Sequence, residues 1–408
     1  STGHRMAMAD LRIRAGLVAA GAGVVLVFGG CPSEPPVVPP PSDILEIVPD
    51  DLWPNLVDDL DRIGLKAACE PSVAYLERLP PGQTIAFGRF ERTAEELARG
   101  VSRACEIVLA SPSERERTAL LQDKFLLLRS VGRDDEGEVL FTGYYEPLLD
   151  ARREPSEDFT HPVYAIPDDL VTVDLRDFGL TADNQRIVGR VDKQRLVPYF
   201  DRDEIDFDVA LASGTEVLGY VDDPVDVFFL HVQGSGTLVF PDGGRSRAGY
   251  AATNGRAYRS IGRLLIDDGL VSREDMSMQA IRAYLEEHPE DLQRVLAFNP
   301  SYVFFRSLPA EGGPLGCYGE PVTGGRSIAT DRRLFPAPVM AWIIATTPSP
   351  DGGEESVARF VLNQDTGGSI RGPGRVDLFF GRGDEAGELA GRTKHLGELY
   401  FLLPKRLE

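Results

Sequence analysis

Near the C-terminal end of this 408-residue chain two aspartates bracket a glycine-rich turn, in the run Asn363-Gln364-Asp365-Thr366-Gly367-Gly368-Ser369-Ile370-Arg371-Gly372-Pro373-Gly374-Arg375-Val376-Asp377-Leu378-Phe379-Phe380-Gly381. Asp377 is the more unusual of the two, because Asp is depleted in strands and this one stands among Val, Leu and Phe. Period-2 alternation places Val376, Leu378 and Phe380 on one face and Asp377 with Phe379 on the other. A carboxyl held against aromatic surface is desolvated, so its pKa rises and it is suited to donate a proton. The competing reading is a strand acid at a half-wet sheet face. Asp331 and Glu146 also lie beside turns or strands, which makes four candidate carboxyls in the β-rich parts. Hydrolytic glycosidases need two of them, one as acid and one as base or nucleophile. Gln233 and Ser235 in a Gly-rich loop, with Tyr144, Tyr145 and Tyr250, suit sugar hydroxyls and ring faces.

Other chemistries find less support. Asp365-Thr366-Gly367 has the form of an aspartic-protease loop, but no second Asp-Thr-Gly or Asp-Ser-Gly occurs to share the proton. Gly381-Arg382-Gly383 follows a strand, yet the next glycine, Gly387, is one place late for a dinucleotide loop. Ser235, Ser246 and Ser327 complete no Gly-x-Ser-x-Gly elbow. His4, His161, His231, His288 and His395 are scattered and form no metal motif. His231, alternating within an apolar run, reads as a packed histidine. No metal and no cofactor are expected.

The elements that would position these groups follow from the rest of the chain. Arg12 and Arg14 precede a run of small and apolar residues from Ala15 to Gly30, the form of an export signal. It ends in Val27-Phe28-Gly29-Gly30-Cys31, like a bacterial lipobox, with Cys31 as the lipidated residue and plain secretion as the alternative. A Pro-rich stretch after Cys31 is a stiff tether. An exported chain can keep a disulfide, and Cys69–Cys105 is the plausible pair, with free thiols as the alternative. The net charge of −21 repels phosphate backbones, which argues against nucleic acid.

From Asp51 to about Leu128 the pattern is helical, with capping boxes at Thr93-Ala94-Glu95-Glu96 and at Ser111-Pro112-Ser113-Glu114, the latter with Pro at the first helical position. At Val139 the texture changes to short strands and turns, and the spacing predicts strands at Val139–Pro147, Val163–Ile166, Val217–Val221, Val227–Val232 and Thr237–Phe240. Helices return at 256–268, 277–287 and 289–298, and strands resume after Pro300. A helix-plus-strand unit is thus interrupted by a barrel-like unit and then completed. On the residues alone, the chain is an exported carbohydrate-active or wall-binding protein.

Long segments carry a resemblance. Phe141-Thr142-Gly143-Tyr144-Tyr145-Glu146-Pro147, His231-Val232-Gln233-Gly234-Ser235-Gly236, Asn254-Gly255-Arg256-Ala257-Tyr258-Arg259-Ser260-Ile261-Gly262 and Asn299-Pro300-Ser301-Tyr302-Val303-Phe304-Phe305 occur in order. With Asp331, Asp365 and Asp377 as its three aspartates, the chain resembles the membrane-bound lytic murein transglycosylase A family. The resemblance covers about Phe141 to Leu403.

It implies a mainly β fold with helices, in which a double-psi β-barrel and a smaller inserted β-barrel flank a groove. The corresponding boundaries are 1–30 for the signal peptide, 31–45 for the tether, 46–142 with 309–408 for the larger domain, and 143–308 for the insert, the three-aspartate domain covering about 327–403. It implies non-hydrolytic cleavage of peptidoglycan between N-acetylmuramic acid and N-acetylglucosamine, leaving 1,6-anhydro ends. Asp377 would be the sole acid and base, and Thr142, Tyr145, Gln233, Ser235, Asp331, Asp365 and Gly368 would line the site. A hydrolytic muramidase with Asp365 or Glu146 as partner, and a non-catalytic peptidoglycan-binding lipoprotein, are the alternatives. The expected setting is the periplasmic face of a Gram-negative outer membrane, with a lipid anchor. Glycan strands are the expected partner, with cell-wall synthesis or division proteins alongside, and the chain is expected to be a monomer. One departure from the family pattern is the turn Arg371–Arg375, a residue longer than usual.

Overall fold

Six strands close into a barrel. Val139–Glu146 pairs in parallel with Arg375–Arg382, which runs antiparallel to Ser327–Ala329, itself parallel to Glu354–Asp365. Met340–Pro348 lies antiparallel to Glu354–Asp365, and Lys394–Pro404 joins it to Val139–Glu146, completing the ring. The barrel and its associated sheets and helices match the expected mainly β class. The computed structural model describes residues 44–180, 186–211, 214–309 and 312–406. The expected signal peptide, Cys31 and nearly all of the tether lie outside them.

Val376, Leu378, Val361, Leu362, Trp342 and Phe401 are buried together in the main core. Full burial of such a side chain contributes roughly 2 kcal/mol, before the entropy of ordering the chain is set against it. The helices Arg62–Arg78 and Ala94–Ala110 pack against each other behind the barrel and are joined by the Cys69–Cys105 disulfide, Cα to Cα 6.3 Å. The capping box at Thr93 is present in both directions, Glu96 N–H to Thr93 Oγ1 at 3.2 Å and Thr93 N–H to Glu96 Oε2 at 2.7 Å.

Three expectations for this region change. The stretch expected to be helical contains a hairpin, Thr84–Phe87 with Phe90–Thr93, and ends in a strand, Phe125–Ser130, that edges the barrel. Both are short runs whose apolar spacing fits either period. The second cap is Ser113, whose Oγ accepts from Glu116 N–H, so Pro112 precedes the helix Glu114–Lys124 instead of starting it. Ser111 instead closes the previous helix, donating to Ile107 O at 2.6 Å.

Between Glu146 and Leu308 the chain builds a second ring. Leu148–Asp150, Ser235–Val239, Arg245–Thr253 and Val303–Leu308 form one sheet. An Ala165–Phe305 bridge leads to the pair His161–Tyr164 and Val217–Val221, and a Tyr220–Arg152 bridge returns to the start. The run expected as a strand over Val227–Val232 is instead part of the helix Pro224–Gln233. Asp223 caps it by accepting from Val225 N–H at 2.8 Å, Pro224 sits at its first turn, and Gly234 ends it at φ 77°. Val227, Phe228, Phe229 and Leu230 are buried on all sides, which removes the alternation that would have marked a helix. The helix expected over 256–268 is shorter, Ile261–Asp267, with Ser260 as its cap.

Candidate active site

The barrel places Asp377 directly opposite Thr142, since the two are register partners on parallel strands. Val376 and Leu378 point into the core, so the residue between them must face outward, toward a cavity. Two positions further along the same strands Phe379 and Tyr144 are also register partners, with ring centroids 5.0 Å apart. The Thr142 hydroxyl donates to Asp377 Oδ1, and Arg375 Nε lies 3.7 Å from the same oxygen. Burial pushes the Asp377 carboxyl above the ordinary range, against the charge of Arg375. Among the described residues no side chain or backbone group hydrogen-bonds Oδ2.

Asp365 ends the strand Glu354–Asp365 beside this pair. Its Oδ1 accepts from Thr366 N–H at 2.8 Å and its Oδ2 from the Tyr144 hydroxyl at 3.0 Å. Burial raises its pKa to about 6, although both donors oppose the rise. Tyr144 is half-buried and stays protonated, its own pKa pushed well up by desolvation and by Asp365.

The other carboxyls are bound on both oxygens. Asp331, 1% exposed, meets Arg333 Nε and Nη2 at 2.9 and 2.7 Å and accepts from Gly372 N–H at 2.9 Å. Burial raises its pKa, but the bonds from Arg333 and Gly372 outweigh that and hold it below the usual range. Glu146, also 1% exposed, accepts from Thr237 Oγ1 at 3.2 Å through one oxygen and faces Arg382 Nε at 2.5 Å through the other. Of the four carboxyls, Asp377 alone presents an unengaged oxygen.

The cavity holds about 1090 Å³, counting space open to solvent. Thr142, Tyr144, Asp365, Gly367, Gly368 and Asp377 form its barrel wall, and Val232, Gln233, Tyr258, Met276 and Met278 the facing wall. Of the residues named from the sequence, Thr142, Gln233, Asp365, Gly368 and Asp377 line this one cavity. Tyr145, Ser235 and Asp331 are not among the lining residues. Tyr145 instead packs on Gly387, where an added Cβ would come within 2.8 Å of its ring, and its N–H donates to Gln233 Oε1 at 3.2 Å. Ser235 opens its strand opposite Gly249, and Asp331 ties down the turn through Gly372. Tyr250 is half exposed and outside the lining.

Sequence reasoning missed Arg375, Tyr258, Met276, Met278 and Lys394, which also line the cavity. Arg375 was open to detection, because it stands two places from Asp377 and so shares its face. The residues on the facing wall come from segments whose approach depends on the closed fold. His231 is packed as expected, though on a helix, with its Nδ1 3.0 Å from Arg202 Nη2. Burial, reinforced by that guanidinium, drives its pKa well down.

Comparison with known proteins places the chain among relatives. Residues 140–306 match the family described as the MltA specific insert domain, and residues 326–403 match the 3D domain. The chain is 36% identical over 278 residues to the membrane-bound lytic murein transglycosylase A of Escherichia coli (strain K12), covering 66% of this chain and 67% of that protein. It is 33% identical over 276 residues to the same-named protein of Vibrio cholerae serotype O1, covering 66% and 67%. The crystal structure of a membrane-bound lytic murein transglycosylase from Agrobacterium tumefaciens is similar, with a TM-score of 0.72, 32% identity, and 88% of this chain and 97% of that one covered. The structure of E. coli MltA with bound chitohexaose has a TM-score of 0.68 at 27% identity, covering 91% and 98%.

Proposed function

This chain belongs to the membrane-bound lytic murein transglycosylase A family, and from that membership we infer that it is a lytic transglycosylase acting on peptidoglycan. The observation that carries the mechanism is the single unengaged carboxyl oxygen at the cavity, Oδ2 of Asp377. We propose that this residue performs both proton transfers. Protonated, it gives its proton to the glycosidic oxygen between N-acetylmuramic acid and N-acetylglucosamine as the bond to the anomeric carbon breaks. As carboxylate, it then takes the proton from the 6-hydroxyl of the same muramoyl residue, whose oxygen attacks the anomeric carbon and closes a 1,6-anhydro ring. The proton removed equals the proton given, and no water is consumed. The substrate's acetamido group covers the positive charge between the steps, so a second carboxylate is not needed. A hydrolytic route needs a second carboxyl beside the bond. Asp365 accepts a hydrogen bond on each oxygen, and Glu146 accepts from Thr237 on one oxygen and is ion-paired with Arg382 on the other, which disfavours that route.

Thr142, Gln233, Asp365 and Gly368 are proposed to hold the sugar from the two walls, with Tyr145, Ser235 and Asp331 supporting from behind or farther along the groove. Residues 46–142 with 309–408 act as the larger domain and 143–308 as the insert, although strand pairing keeps the chain in the large barrel through Glu146. Glycan strands are the proposed partner, supported by the chitohexaose complex of the E. coli relative. Membrane attachment, in the relatives' name, is proposed to come here from lipidation at Cys31, on the small residues that precede that cysteine. Mass spectrometry of digested peptidoglycan tests the reaction. Muropeptides lighter by one water than reducing ends are expected, and reducing ends as the main product would overturn it.

A further inference from the structure

The mechanism leaves Arg375 unassigned, although its side chain lines the cavity and is the cation nearest Asp377. It stands two residues before Asp377 on the strand Arg375–Arg382 and therefore on the same face. Its Nη2 donates to Thr142 Oγ1 at 3.3 Å, its Nε lies 3.7 Å from Asp377 Oδ1, and the Thr142 hydroxyl donates to that same Oδ1. The three groups close a triangle around one carboxyl oxygen. The carboxyl torsion of Asp is broad and roughly two-fold, so a side chain held by nothing would present either oxygen. Fixing Oδ1 fixes where Oδ2 points.

Resting on the reading of Asp377 as the acid, we propose that Arg375 is a positioning residue for it: with Thr142 it holds Oδ1, so that the proton is carried and taken back on Oδ2. The guanidinium also favours the carboxylate left after the first transfer, opposing the burial that favours the acid. At 32% exposure the Arg375 side chain is partly screened, and its influence on Asp377 is correspondingly modest. The remaining titratable groups around the pair are Asp365 with Tyr144 and Cys317 on the barrel side, Lys394 opposite Thr142, and Tyr258 across the cavity. None of them bonds Oδ1, so Arg375 is the charge whose removal acts on Asp377 directly.

The test is the pH dependence of kcat/KM for muropeptide release by the full chain and its Arg375→Gln, Arg375→Lys and Asp377→Asn variants, with thermal melts to verify folding. A general acid must be protonated in the free enzyme, so kcat/KM falls as pH rises through its pKa. Removing the guanidinium raises that pKa, and Arg375→Gln is expected to move the alkaline limb up by about 1 pH unit, the low end for an Asp–Arg pair. Its kcat should fall on the order of 10-fold through lost orientation, with KM nearly unchanged. Arg375→Lys keeps the charge and so the limb, but one ammonium cannot bridge Thr142 and Asp377 as a fork does, and kcat should still fall. An alkaline limb in Arg375→Gln that stays in place or moves down overturns the proposal. So does an Arg375→Lys variant with wild-type kcat, which keeps the test open should the Gln variant fail to fold. If Asp377→Asn turns over normally, the reading of the acid itself falls, whatever the Arg375 variants show.

Discussion

The Tyr144 hydroxyl donates to Asp365 Oδ2 at 3.0 Å, so a carboxyl that lines the cavity is tied to the strand that also carries Thr142. Burial holds the Asp365 pKa near 6, above the model-peptide value of about 3.9 that it recovers on unfolding. The folded state therefore binds more protons than the unfolded one between about pH 4 and 6, and stability falls as pH rises through that window. The full cost at neutral pH is up to about 3 kcal/mol. Asp365→Asn should raise the melting temperature at pH 7 and flatten this part of the stability–pH curve, while reducing activity. Denaturant titrations at pH 4 and pH 7 check it, and a variant less stable than wild type at pH 7 contradicts it.

Glu146 is a structural carboxylate in this account. It lies at the exit from the large barrel, faces Arg382 and Arg247, and accepts from Thr237 on the insert. Truncating one partner of a buried pair costs on the order of 3 kcal/mol. Glu146→Ala should lose stability of that size, yet still release anhydro-ended products wherever it remains folded. A folded variant without turnover would make Glu146 a second catalytic carboxyl.

The Cys69–Cys105 bridge closes a loop with a sequence separation of 36, which in the chain-entropy account stabilises by roughly 4 kcal/mol. Neither cysteine lines the cavity. The double variant Cys69→Ala/Cys105→Ala is expected to melt at lower temperature with KM and kcat preserved at temperatures where it is folded.

Asp331 fixes the turn between the two aspartates by accepting from Gly372 N–H at 2.9 Å. Asp331→Ala releases that bond and is expected to cost about 10-fold or more in kcat/KM through misplacement of the walls, without changing the products. The carboxyl is held below its usual pKa, so its contribution to stability is complete at neutral pH and lost in acid as it is protonated. The variant should accordingly show a weaker acid-induced loss of stability than wild type.

Local signals were legible wherever a residue acts on its neighbours. Thr93 and Glu96 form their capping box three residues apart, and alternation put Asp377 on the face opposite Val376 and Leu378. The order of motifs also carried the interruption of one barrel by another. The helix Pro224–Gln233 was misread because four consecutive buried apolar residues have no period, although Asp223 and Pro224 before them are a helix start. Tyr258, Met276 and Met278 were out of reach for a different reason. They share a cavity with Asp377 only in the closed fold, and such approach of distant segments leaves no trace in a local window. The supporting roles of Asp331 and Glu146 were likewise invisible, since type alone does not tell a carboxyl with both oxygens bound from one with an oxygen free.

If Asp377 alone moves the proton, Asp377→Asn should abolish the reaction and nothing else. The amide keeps the shape of the side chain and can still accept from Thr142, but it carries no acid. Release of soluble muropeptides from purified peptidoglycan and sedimentation of the protein with that peptidoglycan should be measured on the same sample. Release should fall to background while binding persists. Turnover near the wild-type rate would contradict it.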